Sequence, residues 1–231
     1  YSKDGGQTWQ QPTSGANPPK SLYFLTMVAG ESDRFYVYGV RWIGQGNVGP
    51  TSHAFTVQFS GTQLVWSDAS IGFPSSVVGP VGLAVQRNGG ELYGILAGYK
   101  SYTDARNKKW QGVNRMLTRI DPATGVFSSL GQSAEYRWTY VDELGFPVVV
   151  AGNDGKVYLL FVNPYEHLLC CVTGTWTGGT SYYSWSYAEI WSNATGTPGG
   201  LAATIDSSNR PVVAFRDRST GNLIAIRRES S

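Results

Sequence analysis

The chain has 231 residues, a formal charge of +2 and only 15% charged residues, which leaves no basic footprint for nucleic acid. Its 8 Trp, 14 Tyr, 9 Phe and 29 Gly, against two Met, make the balance of a turn-rich all-β protein. No apolar run reaches the ~18 residues that a spanning helix needs, and neither an initiator Met nor a signal peptide opens the sequence.

From the N terminus, Ser2-Lys3-Asp4-Gly5-Gly6-Gln7-Thr8-Trp9 places Ser, Asp, Gly, Thr and Trp at fixed positions of a turn. Asp4 can accept hydrogen bonds from the amides of its own turn, and Gly5 and Gly6 can take the positive φ it needs. Thr8 and Trp9 begin a strand. These residues (Ser2, Asp4, Gly6, Thr8 and Trp9) resemble the Asp-box, the bacterial neuraminidase repeat of sialidase-like β-propellers. The resemblance implies a hairpin between the third and fourth strands of a blade, with the Trp9 indole buried against the next blade. It gives the box a structural role, away from substrate. A chain that opens inside a motif reads as a mature or excised product, or as one piece of a longer polypeptide.

A polar connector, Gln10 to Lys20, precedes four predicted strands: 22–28, 35–42, 53–59 and 63–66. The pattern recurs. Val81 to Val85 and Glu91 to Ala97 form a hairpin about Asn88-Gly89-Gly90, followed by a polar loop from Gly98 to Val113. Arg115 to Ile120 and Val126 to Leu130 flank the turn 121–125. A third copy runs through Pro147 to Val150, Lys156 to Val162, Leu168 to Val172, a Gly/Thr loop from 173 to 180, and Tyr182 to Ile190. The fourth copy is Leu201 to Ile205, Arg210 to Phe215 and Asn222 to Ile226, one strand short. Tyr36, Tyr93, Tyr158 and Val212 hold one place in successive copies, at spacings of 57, 65 and 54, and of 55 round the ends. The sequence therefore predicts an all-β β-propeller, a single domain over 1–231. It has four blades of four strands, the last closed by the N-terminal strand so that no edge stays open. Glu135 to Gly145 is strand-like with no slot in that count, so five blades, or part of a larger propeller, are the alternatives.

The chemistry-bearing residues exclude several classes. Two His and two adjacent Cys, Cys170 and Cys171, have no zinc spacing; on a strand the two thiols point to opposite faces and read as independent groups, with a strained vicinal disulfide as the alternative. Asn153-Asp154-Gly155 reads as a hairpin turn, not a calcium loop. No phosphate loop runs from a strand into a helix, and no G-x-S-x-G marks a nucleophile. No metal and no cofactor is expected.

In a propeller the loops from second to third strand converge on one end. Here they carry Arg41, Trp42 and Asn47, then Tyr99, Tyr102, Asp104, Arg106, Lys109 and Trp110, then Asn163, Tyr165, Glu166 and His167, then Arg216, Asp217 and Arg218. Aromatic faces stack on the C–H side of a pyranose while charges and amides take its hydroxyls. The expected carbohydrate-binding residues are thus Arg41, Trp42, Tyr102, Arg106, Trp110, Tyr165, Glu166 and Arg218. Sialidases use an arginine triad with a Tyr–Glu pair, for which Arg41, Arg106, Arg218, Tyr165 and Glu166 are loose counterparts. The resemblance covers one hairpin and the repeat, and carries no catalytic residue over.

The reading is a non-catalytic, lectin-like module for cell-surface or matrix glycans. It is secreted or surface-displayed, alone or within a larger assembly, with no membrane span. One rival is a glycan-degrading hydrolase or lyase whose carboxylates would be Glu166 with Asp104 or Asp217. The other is a protein-binding scaffold.

Overall fold

The computed structural model describes residues 2, 6–8, 22–31, 33–41, 51–61, 63–69, 77–103, 105–139, 147–192 and 198–227. They form fifteen strands: β1 (Leu22–Ala29), β2 (Arg34–Arg41), β3 (Thr51–Ser60), β4 (Gln63–Asp68), β5 (Val77–Asn88), β6 (Glu91–Thr103), β7 (Lys109–Ile120), β8 (Phe127–Thr139), β9 (Val148–Ala151), β10 (Lys156–Asn163), β11 (Leu168–Gly178), β12 (Tyr182–Ser192), β13 (Pro198–Ile205), β14 (Pro211–Asp217) and β15 (Leu223–Arg227). The strands make antiparallel meanders in sequence order, three of four strands and a last one of three. These are the four predicted copies, and Tyr36, Tyr93, Tyr158 and Val212 all lie on the second strand of their sheet.

The sheets stack face to face like blades. Tyr36, Tyr38 and Ala54 of the first pack with Leu83, Leu96 and Met116 of the second. Ile95, Val113 and Leu117 of the second meet Leu159, Phe161 and Cys170 of the third. Tyr158, Leu160 and Cys171 of the third meet Val213 and Phe215 of the fourth. Packing on both faces explains why β7 is buried at eight consecutive positions and carries no clean alternation. The edge strand β15 alternates exposed and half-buried residues. The inner strands β1, β5, β9 and β13 lie side by side around a cavity of about 300 Å³, lined by Val28, Leu83, Val85, Val149, Ala151, Ala203 and Ile205 among others.

Three sequence expectations change. The polar loop from Gly98 to Val113 is a projecting hairpin: β6 and β7 pair as far as Thr103 opposite Lys109. Polar composition misled there because both faces of a projecting hairpin can be solvated. Most of the Gly/Thr loop from 173 to 180 is strand, since β11 runs on to Gly178. Finally, Glu135 to Thr139 is the far half of β8, reached past a register shift that lies opposite Met116 and Thr118, with Gly131 at φ 69. The strand needs no fifth blade. Residues 140–146 lie outside the described set.

Two turns share an Asp-x-x-Thr-Gly clip. Asp121 Oδ1 accepts the Ala123 amide at 2.8 Å, and the Gly125 amide closes on the Asp121 carbonyl at 2.7 Å. Asp217 Oδ1 accepts the Ser219 amide and hydroxyl at 2.9 and 2.7 Å and Oδ2 the Thr220 hydroxyl at 2.9 Å, with Gly221 closing on the Asp217 carbonyl at 2.8 Å. At the N terminus, Ser2 Oγ accepts the Gly6 amide at 2.8 Å, and Gly6 has φ 91. Asp4, Trp9 and the connector Gln10 to Lys20 lie outside the described residues, and with Trp9 so does the N-terminal strand expected to close the fourth blade.

Candidate functional site

The meander order puts the β2–β3, β6–β7, β10–β11 and β14–β15 connections at one end of their sheets, as the sequence reading requires. Arg41 ends β2; its side chain, Trp42, Asp104 and the Tyr102 side chain are outside the described set. Backbone pairing sets Tyr102 opposite Trp110 across the β6–β7 hairpin, with Arg106 exposed in its turn. Trp110 is half-buried, and Lys108 Nζ stands 4.2 Å from its ring centroid, a cation–π contact.

The β10–β11 turn is built by Asn163. This side chain is 8% exposed. Its Oδ1 accepts the amides of Tyr165 and Glu166 at 3.2 and 3.4 Å, and its Nδ2 donates to Glu166 Oε2 at 2.6 Å. One amide thus folds the turn and fixes its carboxylate, while Tyr165 stays 55% exposed. His167 closes the turn at φ 56, a backbone role in the left-handed region. Asp217 is occupied by its clip, and Arg218 lies against the Gly199 backbone of the same blade.

The richest convergence lies beside this turn, in the seam between the second and third sheets. Along β12, Tyr183, Trp185, Tyr187 and Glu189 share the face toward the second sheet, by the strand's period of two. Glu189 sits opposite Cys170 on β11, which in turn sits opposite Phe161 on β10. Tyr136 of β8 crosses the seam, with ring centroids 5.2 Å from Phe161 and 6.5 Å from Tyr187. The Tyr187 hydroxyl lies 3.1 Å from Cys170 Sγ, and its side chain is 49% exposed.

Electrostatics tie the carboxylates to this spot. Burial pushes the Cys170 thiol up to about 11, against the Tyr187 hydroxyl bond, and both Glu189 and Glu166 add to the rise. Burial also raises the Tyr187 phenol, helped by Cys170 and by the same two glutamates. Glu166 and Glu189, 23 positions apart in sequence, therefore act on one hydroxyl and one thiol. The site presents the exposed Tyr187 phenol and two carboxylates, one of them fixed by a buried amide, which is chemistry for hydroxyl-rich ligands.

The structure thus keeps Tyr165 and Glu166 together and adds Tyr136, Tyr187, Glu189 and Cys170, which the loop-based reading missed. The alternation from Tyr183 to Glu189 could have shown that they share a face. Which sheet that face meets is tertiary information. Among the described residues no cluster of three or more His, Cys, Asp or Glu is placed to hold a metal, and no helix is long and apolar enough to cross a membrane.

No family model and no curated protein matches the sequence. Among solved structures, the chain is similar to an α-L-arabinanase from Cellvibrio cellulosa (12% identity, TM-score 0.48, covering 91% of this chain and 74% of that one). It is also similar to an endo-arabinase from Bacteroides thetaiotaomicron, at 9% identity and TM-score 0.30, over 91% of this chain and 94% of that one. A third is an exo-1,5-α-L-arabinanase from a bovine ruminal metagenomic library, at 10% identity and TM-score 0.32, again over 91% and 94%.

Proposed function

We propose that the chain is a non-catalytic carbohydrate-binding propeller that engages glycans at the mouth of the seam between its second and third blades. The observation that carries this reading is exposed Tyr187, bonded to Cys170 Sγ at 3.1 Å and stacked on Tyr136, with Glu189 opposite Cys170 and with Glu166, held by Asn163, acting on the same hydroxyl. Exposed phenol rings supply a stacking face at low entropic cost. The carboxylates accept from sugar hydroxyls, and a carboxylate fixed in advance loses little freedom on binding. The projecting hairpin that carries Trp110 would extend the same surface. The N-terminal strand is taken to complete the fourth blade, and the Asp-box resemblance supports a secreted or surface-displayed protein.

A second reading is a glycoside hydrolase, favoured by one observation: Glu166 and Glu189 act on the same pair of groups, and paired carboxylates are what glycosidic cleavage uses. Binding to a glycan array, followed by mass spectrometry of the best ligands for released products, separates the two. In the lectin reading Tyr187→Ala weakens binding at least tenfold and no product appears. Cleavage abolished by Glu189→Gln would replace it with the hydrolase. A seam indifferent to every glycan would leave the scaffold.

A further inference from the structure

The net charge of the chain is concentrated in one projecting element. Residues 99–110 contain four cations, Lys100, Arg106, Lys108 and Lys109, against the single carboxylate of Asp104; these twelve positions carry +3 and the remaining 219 carry −1. They belong to the hairpin in which β6 and β7 pair as far as Thr103 opposite Lys109, with Asn107 at φ 59 in its turn. Arg106, Lys108 and Lys109 are all exposed. Like charges this close repel one another, a cost that a polyanionic partner reverses.

The charge continues down one face of the second sheet. Tyr102, Trp110 and Thr139 form one cross-strand row over β6, β7 and β8, and Lys100, Gly112 and Arg137 form the next. Residues directly opposite share a face. By the strand's period of two this is also the face of Met116, which packs with the first sheet. Gly112 puts no side chain between Lys100 and Arg137, whose strands lie about 10 Å apart. One row on, the Glu135 carboxylate accepts from Arg137 Nε at 2.7 Å and lies 3.4 Å from Lys100 Nζ. It tethers both cations and leaves the trio with one net positive charge. Strand β8 joins this face to the seam: Tyr136, between Glu135 and Arg137 in the chain, points to the other side, toward Phe161 and Tyr187.

We propose that the β6–β7 hairpin, with the Lys100–Arg137 face below it, binds a polyanionic glycan: a polysaccharide that carries sulfate or carboxylate groups. Lysine and arginine donors make charge-assisted hydrogen bonds to either oxyanion, and short clusters of them suit sulfated polysaccharides. A nucleic acid fits less well. It bears a charge at every phosphate, which the Glu166 and Glu189 carboxylates of the adjoining seam would repel, whereas a glycan presents neutral hydroxyls between its charges. The inference names the ligand class of the glycan-binding surface and rests on that reading.

The test titrates the full chain with dextran sulfate, polygalacturonate, neutral dextran and a single-stranded DNA of similar length. One of the two acidic glycans should bind while dextran does not, and its affinity should fall roughly tenfold as sodium chloride rises from about 50 to about 300 mM. The tighter of the two identifies the acidic group. Arg106→Gln, Lys108→Gln and Lys109→Gln together alter only exposed side chains. That triple variant should lose roughly tenfold in affinity with unchanged thermal melting, and Arg137→Gln, outside the hairpin, should lose about threefold. Acidic-glycan binding that survives Tyr187→Ala but not the triple variant would keep this proposal and remove the seam from the glycan reading. A neutral glycan that depends on Tyr187 and is indifferent to the triple variant would keep the glycan reading and overturn this proposal. DNA bound as tightly as dextran sulfate, or no binding of either acidic glycan, overturns it as well.

Discussion

Asn163 shows how much one side chain can decide. With three hydrogen bonds it folds the β10–β11 turn and fixes the Glu166 carboxylate, whose charge raises the Tyr187 phenol. Asn163→Ala removes the anchor and leaves the exposed rings in place, so glycan affinity should fall several-fold while the far-ultraviolet circular dichroism is retained; unchanged affinity would separate Glu166 from the site. The thiols make a second prediction. Cys170 faces the second sheet and Cys171 the fourth, both buried and unbridged, with the Cys170 thiol pushed up to about 11 by burial. Thiolate is the reactive form, so neither should be alkylated by iodoacetamide at pH 8 in the native state, and both should react in denaturant. The opposite faces of these two thiols were legible from strand alternation alone. The Tyr187–Cys170 contact was not, because it depends on how β11 and β12 are registered.

Among the elements, the turns carry the clearest constraints. Gly125 sits at φ +75, and a Cβ there would run into the Thr56 side chain of the neighbouring blade. Gly125→Ala combines left-handed strain with a steric clash and should cost about 1–3 kcal/mol in denaturant melts. A cost below a few tenths would mean that the turn relaxes freely. The Asp217 carboxylate, once a candidate for chemistry, is engaged by the Ser219 and Thr220 donors of its turn. Asp217→Ala should therefore lower the melting temperature and leave glycan binding within twofold. Asp-Gly and Asn-Gly signals placed the hairpins correctly from sequence, since their mechanism is local. The β6–β7 hairpin and the second half of β8 escaped, because strand extension there depends on a partner strand that a local pattern does not contain.

At the scale of the whole molecule, the blades are joined by packed aromatics and by polar clamps. Arg34 donates to the Pro122 and Ala123 carbonyls at 2.7 and 2.9 Å, and Gln86 donates to the Gly152 carbonyl at 2.6 Å. The carboxylates of Asp121, Asp206 and Asp217 are all held below their ordinary value of 3.8, chiefly by turn amides and hydroxyls. A depressed folded pKa contributes stability that is present above the unfolded value and lost as pH falls through the folded one. Thermal stability should hold above about pH 4 and decline below it; a melting temperature flat down to pH 2 would remove these clips from the account. The repeat arithmetic made the four-sheet organisation legible before any coordinates. It could not show the seam, because each repeat is similar in pattern while the side chains of the candidate site belong to the contact between two particular sheets.

The central claim is that the mouth of the seam between the second and third blades binds glycans without cleaving them. Isothermal titration of the best glycan-array ligand into the wild-type chain and Tyr187→Ala, with mass spectrometry of the ligand afterwards, tests it most directly. The account predicts saturable binding, a loss of at least tenfold in the variant, and a ligand of unchanged mass. Full affinity in Tyr187→Ala, or a ligand recovered as cleavage products, would contradict it.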